Sequence, residues 1–299
     1  MKLILKTVII SLFLSGSAFA CACGCSVFSV GARWMLPISP GFRSYLLFNY
    51  MDQLDNWNNW GNAPSLLNGD KEIRTSFYTL GLQYMFDRDW GVTVELPYWD
   101  RFARLTDDDG EVVSSSHDAL SDVRVIGMYS GLSADMSTGI EFGLKIPTGP
   151  FNQPLLDRDT QIGSGTTDLL LGGYRMGQES GWGWYTQVMW QHAFNERDGY
   201  RPGDSFDANV GIHYDNLLNE FHVIPMFQLI GSFRAKDSGV EADPDNTGYS
   251  RLYLSPSLEL IPDARINIYF DLRIPILTRV SGYQLVAPSL VSATFGYNF

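Results

Sequence analysis

The feature that most constrains this chain is an alternation of period two that keeps its apolar side exposed to choice of solvent. In TSFYTLGLQYMF, residues 75–86, Tyr78, Leu80, Leu82, Tyr84 and Phe86 share one face of an extended chain, while Thr79, Gly81 and Gln83 share the other. After the turn DRD comes WGVTVELPYW, in which Trp90, Val92, Val94, Leu96 and Tyr98 face one way and Thr93 and Glu95 the other. Both segments place aromatics near their ends and aliphatics in the middle. Aromatic girdles around an apolar band produce that arrangement in strands that cross a membrane. The chain finishes LVSATFGYNF, where Val291, Ala293, Phe295, Tyr297 and Phe299 lie on one face. Lipid suits such a face; water does not.

The pattern recurs in about twelve segments, an even number, as bacterial barrels require. They span 42–52, 72–86, 90–104, 119–131, 137–148, 165–176, 182–195, 204–214, 220–235, 249–260, 264–277 and 286–299. Their connections alternate. Short ones are expected at 87–89, 132–136, 177–181, 215–219 and 261–263, and long ones at 53–71, 105–118, 149–164, 196–203, 236–248 and 278–285. Tight turns at one rim and long loops at the other mark a barrel with both termini in the periplasm. The expected fold is all-β, a transmembrane antiparallel up-and-down barrel of about twelve strands over 42–299, in the outer membrane of a Gram-negative cell.

The first twenty residues read as an export signal: Lys2 and Lys6, then an apolar run from Val8 to Leu14, then Ala18-Phe19-Ala20. That run is too short to span a bilayer. Residues 21–41 then form a Cys-containing N-terminal segment before the first barrel strand. All three cysteines of the chain sit there, in CACGC. Cys21 stands where a lipoprotein signal would be lipidated. Otherwise Cys21, Cys23 and Cys25 are either oxidised or available to a soft or borderline metal, since the periplasm is oxidising.

The faces opposite the apolar ones should line the lumen, because charge is costly toward lipid. They carry Glu95, Asp122, Arg124, Glu141, Lys145, Gln187, Asp207, Asn209, Arg251, Glu259, Asp271 and Arg273. These are the candidates for a transport path. Both signs are present, which predicts ion pairs more than uniform selectivity. His213 and His222 fall on the same inner face. A tight turn pairing Asn216 with Asn219 would set them opposite each other, as further metal candidates.

The net charge of -12 excludes nucleic acid as a partner. There is no phosphate loop, no HExxH, no Ser nucleophile elbow and no CxxCH haem motif, so neither an enzyme nor a cofactor is expected. The expected partners are outer-membrane lipid, a small-molecule solute, and the barrel assembly machinery through Phe299. Oligomeric state stays open.

Some stretches resemble a known family. LSDVRVIGMYSGLSADMSTGIEFGLKIPTGPF, followed by QIGSGTTDLLLGGY, resembles the meta-pathway phenol-degradation family of outer-membrane transporters. The matching residues are Ser121-Asp122, Pro147-Thr148-Gly149, and Gly163, Gly165 and Asp168; VELPYWDR at 94–101 is similar to an earlier strand of that family. A fainter likeness extends to fatty-acid transporter barrels. The resemblance implies passive uptake of small hydrophobic or aromatic solutes. The alternative expectation is a structural barrel that houses or docks a periplasmic partner, such as an electron-transfer protein.

Overall fold

The computed structural model describes residues 30–31, 35–69, 71–107, 109–215, 217–218 and 221–299. The export signal and Cys21, Cys23 and Cys25 lie outside the described residues. Among the described residues there are sixteen strands: β1 Gly41–Gln53, β2 Asp55–Asn58, β3 Gly61–Asn62, β4 Glu72–Met85, β5 Trp90–Thr106, β6 Val112–Leu120, β7 Val123–Tyr129, β8 Thr138–Ile146, β9 Asp168–Glu179, β10 Trp182–Ala193, β11 Ser205–Tyr214, β12 Val223–Arg234, β13 Tyr249–Asp263, β14 Ile266–Val280, β15 Tyr283–Val286 and β16 Leu290–Asn298. No helix among these residues is long and apolar enough to cross a membrane.

Twelve strands form one closed antiparallel barrel, in the order β4-β1-β16-β14-β13-β12-β11-β10-β9-β8-β7-β5, with β5 pairing back onto β4. Closure lets the wall strands pair with neighbours on both sides, which hydrocarbon demands of backbone N–H and C=O groups. The first and last barrel strands form the seam. Phe48 stands opposite Ala293 and Tyr45 opposite Gly296. The C-terminal Phe299 completes it: its N–H donates to the Phe42 carbonyl at 3.1 Å, and its ring lies 4.9 Å from those of Phe42 and Tyr297. The expected fold class is the one observed.

The outer wall is apolar. Leu80, Phe142, Val188, Val210, Leu229, Leu258 and Phe270 are all exposed on it. Near the short-turn rim, aromatic pairs form a girdle: Tyr84 with Phe86, Trp90 with Tyr129, and Trp182 with Tyr214, at centroid distances of 5.2, 4.7 and 4.8 Å.

Three features depart from the expected spans. The long connection at 105–118 is largely strand: β6 pairs with the far half of β5, from Tyr98 to Thr106, while β7 pairs with the near half, Trp90 to Glu95. Pro97 sits at this change of partner, where a residue without an N–H is tolerated. The first and last long loops are also structured, because β15, β2 and β3 form a small sheet of their own. The turn after β11 is longer than a tight hairpin. His213 is therefore opposite Met226, not His222, and His222 lies in the turn at φ 54°.

Candidate functional site

The lumen is built by register. One cross-strand row places Tyr45, Gly81, Glu95, Arg124, Lys145 and Asp168 side by side on consecutive strands. Charges of opposite sign thus become neighbours without help from the loops. Lys145 Nζ lies 2.9 Å from Asp168 Oδ2 and 3.1 Å from Asp122 Oδ2, and also donates to the Ser164 hydroxyl. Arg124 faces Glu95 at 3.5 Å and donates to Gln191. Tyr45 lies across Gly81, where any Cβ would strike its ring, and donates to Glu95 at 2.8 Å.

The remaining polar candidates also point inward. Gln187 donates to Glu141 at 3.1 Å and takes its place beside Asn209, which donates to Gln228. Asp207 accepts from Ser232, Asp271 accepts from Arg273 at 2.8 Å, and Glu259 accepts from Asn267. The Arg251 guanidinium stacks 4.2 Å above the Tyr249 ring.

The interior is not polar throughout. Met51, Phe77, Ile126, Leu170, Met189, Ile230 and Tyr253 converge with Val30 and Leu290 in an apolar cluster, with Trp99 packed against it. Val30 belongs to the segment before β1, and its described residues Val30, Gly31, Met35 and Leu36 make contact with inward-facing side chains of the barrel. Arg273 donates to the Val30 carbonyl at 3.1 Å. Tyr185 and Tyr269 both donate to the Gly31 carbonyl, at 3.2 and 3.1 Å. Gln83 and Arg43 hold the carbonyls of Met35 and Leu36. Gly31 has φ 111°, a conformation that glycine tolerates and residues with a Cβ rarely adopt.

Toward the long-loop rim the lumen opens into a cavity of about 1190 Å³, space open to solvent included. Leu47, Phe77, Pro97, Trp99 and Ile162 give it an apolar wall, and the Glu95, Arg124, Lys145, Asp122 and Asp168 row a polar one. The loop from 147 to 167 is its roof. Ser121 and Asp122 hold that loop: Ser121 donates to the Ile162 carbonyl at 2.5 Å, and Asp122 accepts from the Gly149 and Ser164 amides. Gly149 and Gly163 pack back to back, so a Cβ on either would strike the other's backbone. Arg158 stacks between Phe151 and Tyr200, at 4.9 and 4.8 Å. Lys71 pairs with Asp157. Tyr200 and Arg234 both donate to Asp237. Burial, reinforced by the charges of Asp157 and Asp237, pushes the Asp159 carboxyl up to about 7 against the pull of Lys71 and Arg234.

Sequence reasoning missed the apolar cluster and the roof. A signal for the first exists: Phe77, Met189 and Ile230 sit in register with polar residues, on the wrong face for lipid. The second is marked only by the motif residues Ser121-Asp122, Gly149 and Gly163, which hold it; that they roof a cavity is not readable, because the contacts join loops far apart in sequence.

His213 and His222 do not face each other across the hairpin, and Cys21, Cys23 and Cys25 lie outside the described residues. His213 is bonded through Nδ1 to Asp215 at 2.6 Å, and no group of three His, Cys, Asp or Glu among the described residues is placed to hold a metal. A Ser115–His117 contact of 3.0 Å exists on β6, but the same Nε2 faces the Pro154 carbonyl at 3.0 Å. A nitrogen that donates to a carbonyl cannot take a serine proton, so this is no nucleophile–base pair.

No family profile matches the sequence, and no curated protein does. The fold does have counterparts among solved structures. An outer-membrane channel from Pseudomonas putida F1 superposes with a TM-score of 0.66 at 13% identity, over 90% of this chain and 99% of that one. The β domain of the Bordetella autotransporter Brka superposes at 0.51 and 13% identity, over 87% and 100%. At such identities the likeness is one of fold. This chain has the fold of an outer-membrane β-barrel.

Proposed function

We propose that this protein is an outer-membrane channel for passive uptake of small, hydrophobic or aromatic solutes, with the short turns and both termini in the periplasm and the long loops outside. One observation carries the reading. Beneath the roof loop, the charges of the polar wall are spent on one another, Lys145 on Asp122 and Asp168 and Arg124 on Glu95, and Arg158 is stacked between Phe151 and Tyr200, while Phe77 and Trp99 present an apolar wall. Such a site offers an ion little and an aromatic ring much. The Pseudomonas putida protein that shares this fold, an outer-membrane channel, agrees with it, as does the resemblance to the phenol-degradation transporters. The twelve inward polar residues are proposed as the lining of the path. Passage also needs Val30 to shift, because it packs in one cluster with Phe77 and Trp99, which line the cavity.

The reading of the barrel as housing for a periplasmic partner meets an obstacle: the chain's own Val30, Gly31 and Leu36 occupy the interior. Uptake of a labelled monoaromatic solute by intact cells, with and without the protein in their outer membrane, tests the proposal.

A further inference from the structure

The outer wall carries a second built feature at the long-loop rim, whose lining shares Pro202, Gly203 and Ser205 with that of the cavity. Register places Leu171, Trp190, Phe206 and Phe233 side by side on four consecutive strands. Phe206 and Phe233 are 44% and 49% exposed, so this is an open aromatic shelf. Directly above it lies a groove of about 790 Å³, open to solvent, whose lining includes Trp190, Phe206, Phe233, Arg201, Asp204 and Lys236.

The charges of the groove are arranged. His192 stacks on Trp190 with centroids 5.3 Å apart, and its Nδ1 lies 2.8 Å from Asp204. Arg201 donates to the other ring nitrogen of His192 at 3.3 Å and to the Ala193 carbonyl at 3.0 Å. A nitrogen that accepts from Arg201 leaves the Nδ1 proton for Asp204. The carboxylate is thereby engaged by the ring, and the guanidinium is fixed in place at the groove. Lys236 is half exposed, its nearest carboxylate Asp245 being 3.7 Å away and almost wholly in solvent. The lining thus holds two cations and one engaged carboxylate, on a chain of net charge -12.

We infer that this groove binds the phosphorylated headgroup of an outer-leaflet lipid, with its phosphate at Arg201 and Lys236 and its acyl chains along Trp190, Phe206 and Phe233. Guanidinium and ammonium groups suit phosphate, and aromatic rings at a membrane interface suit the junction of headgroup and chain. The inference rests on the barrel lying in an outer membrane with its long loops outward; it does not depend on which solute passes.

The test is native mass spectrometry of the purified full-length barrel with lipid A, an acylated disaccharide bisphosphate, and with the same lipid stripped of its phosphates. Heat-modifiable gel mobility confirms folding of each variant. The expected result is retention of lipid A about tenfold above that of the Arg201→Ala/Lys236→Ala variant, with Arg201→Lys intermediate. The Arg88→Ala/Arg265→Ala control, at the short-turn rim, should match the wild type. Equal retention by the double variant, equal retention of the stripped lipid, or competition by equimolar inorganic phosphate would overturn the inference. Loss of solute uptake with lipid retention intact would instead count against the channel reading alone.

Discussion

Lys145 stands between Asp168 and Asp122, its Nζ 2.9 and 3.1 Å from one oxygen of each. One ammonium thereby joins two adjacent walls of the barrel to the segment that anchors the roof loop. Asp168 is nearly inaccessible, so removing the cation leaves buried carboxylates uncompensated. Lys145→Met should therefore destabilise the barrel by about 3–5 kcal/mol, read from urea unfolding in lipid vesicles. Adding Asp168→Asn should recover part of the loss, since it removes one of the stranded charges.

The Gly31 carbonyl accepts from Tyr185 and from Tyr269. In Tyr185→Phe/Tyr269→Phe both bonds vanish and little volume changes. At ~1 kcal/mol each, the time Gly31 spends detached from the two tyrosines should rise by about an order of magnitude or more. Single-channel recordings in planar bilayers should show longer or more frequent openings. Gly31→Val should act the same way, because its φ of 111° disfavours any residue with a Cβ.

Asp159 gives the roof a pH dependence of defined sign. In a detached loop this carboxyl titrates near about 4; in the closed loop burial raises it to about 7. Between those values the closed loop holds a proton that the detached loop has released. Closure is thus favoured in full below pH of about 4, weakens as pH rises, and has lost this contribution above about 7. Spin labels at positions 155 and 240 should report a broader distance distribution at pH 8 than at pH 5. Asp159→Asn should abolish the difference.

Trp99 meets Phe77 edge to face at 4.9 Å and lines the cavity with it. Trp99→Ala should lower uptake of a monoaromatic solute by about tenfold, the worth of one aromatic contact with its buried area. Uptake of a hydrophilic solute of the same size should not fall.

The barrel was legible because alternation in one strand needs no knowledge of another. The face of Tyr78, Leu80, Leu82 and Tyr84 is set by period two alone, and lipid asks only that it be apolar. What failed was information carried between segments. The register of β11 on β12 depends on a turn in which His222 adopts φ 54°, and without it His213 was set opposite the wrong residue. β15 pairs with β2 across more than two hundred residues, which no local pattern encodes. Inner polar residues such as Glu95 and Lys145 were visible singly, but their adjacency followed only from the observed register. Phe77 and Met189 carried a readable sign, apolar side chains on a face that otherwise avoids them, of the cluster that closes the lumen.

The central claim, an uptake path for small hydrophobic or aromatic solutes, is tested most directly by transport. Initial uptake of a radiolabelled monoaromatic solute is measured in intact cells with and without the protein, at an outer-membrane level verified by fractionation. Uptake should be several-fold faster with the wild-type protein, reduced by Trp99→Ala and raised by Tyr185→Phe/Tyr269→Phe. Uptake indistinguishable from cells lacking the protein, with folded barrel present in the outer membrane, would contradict it.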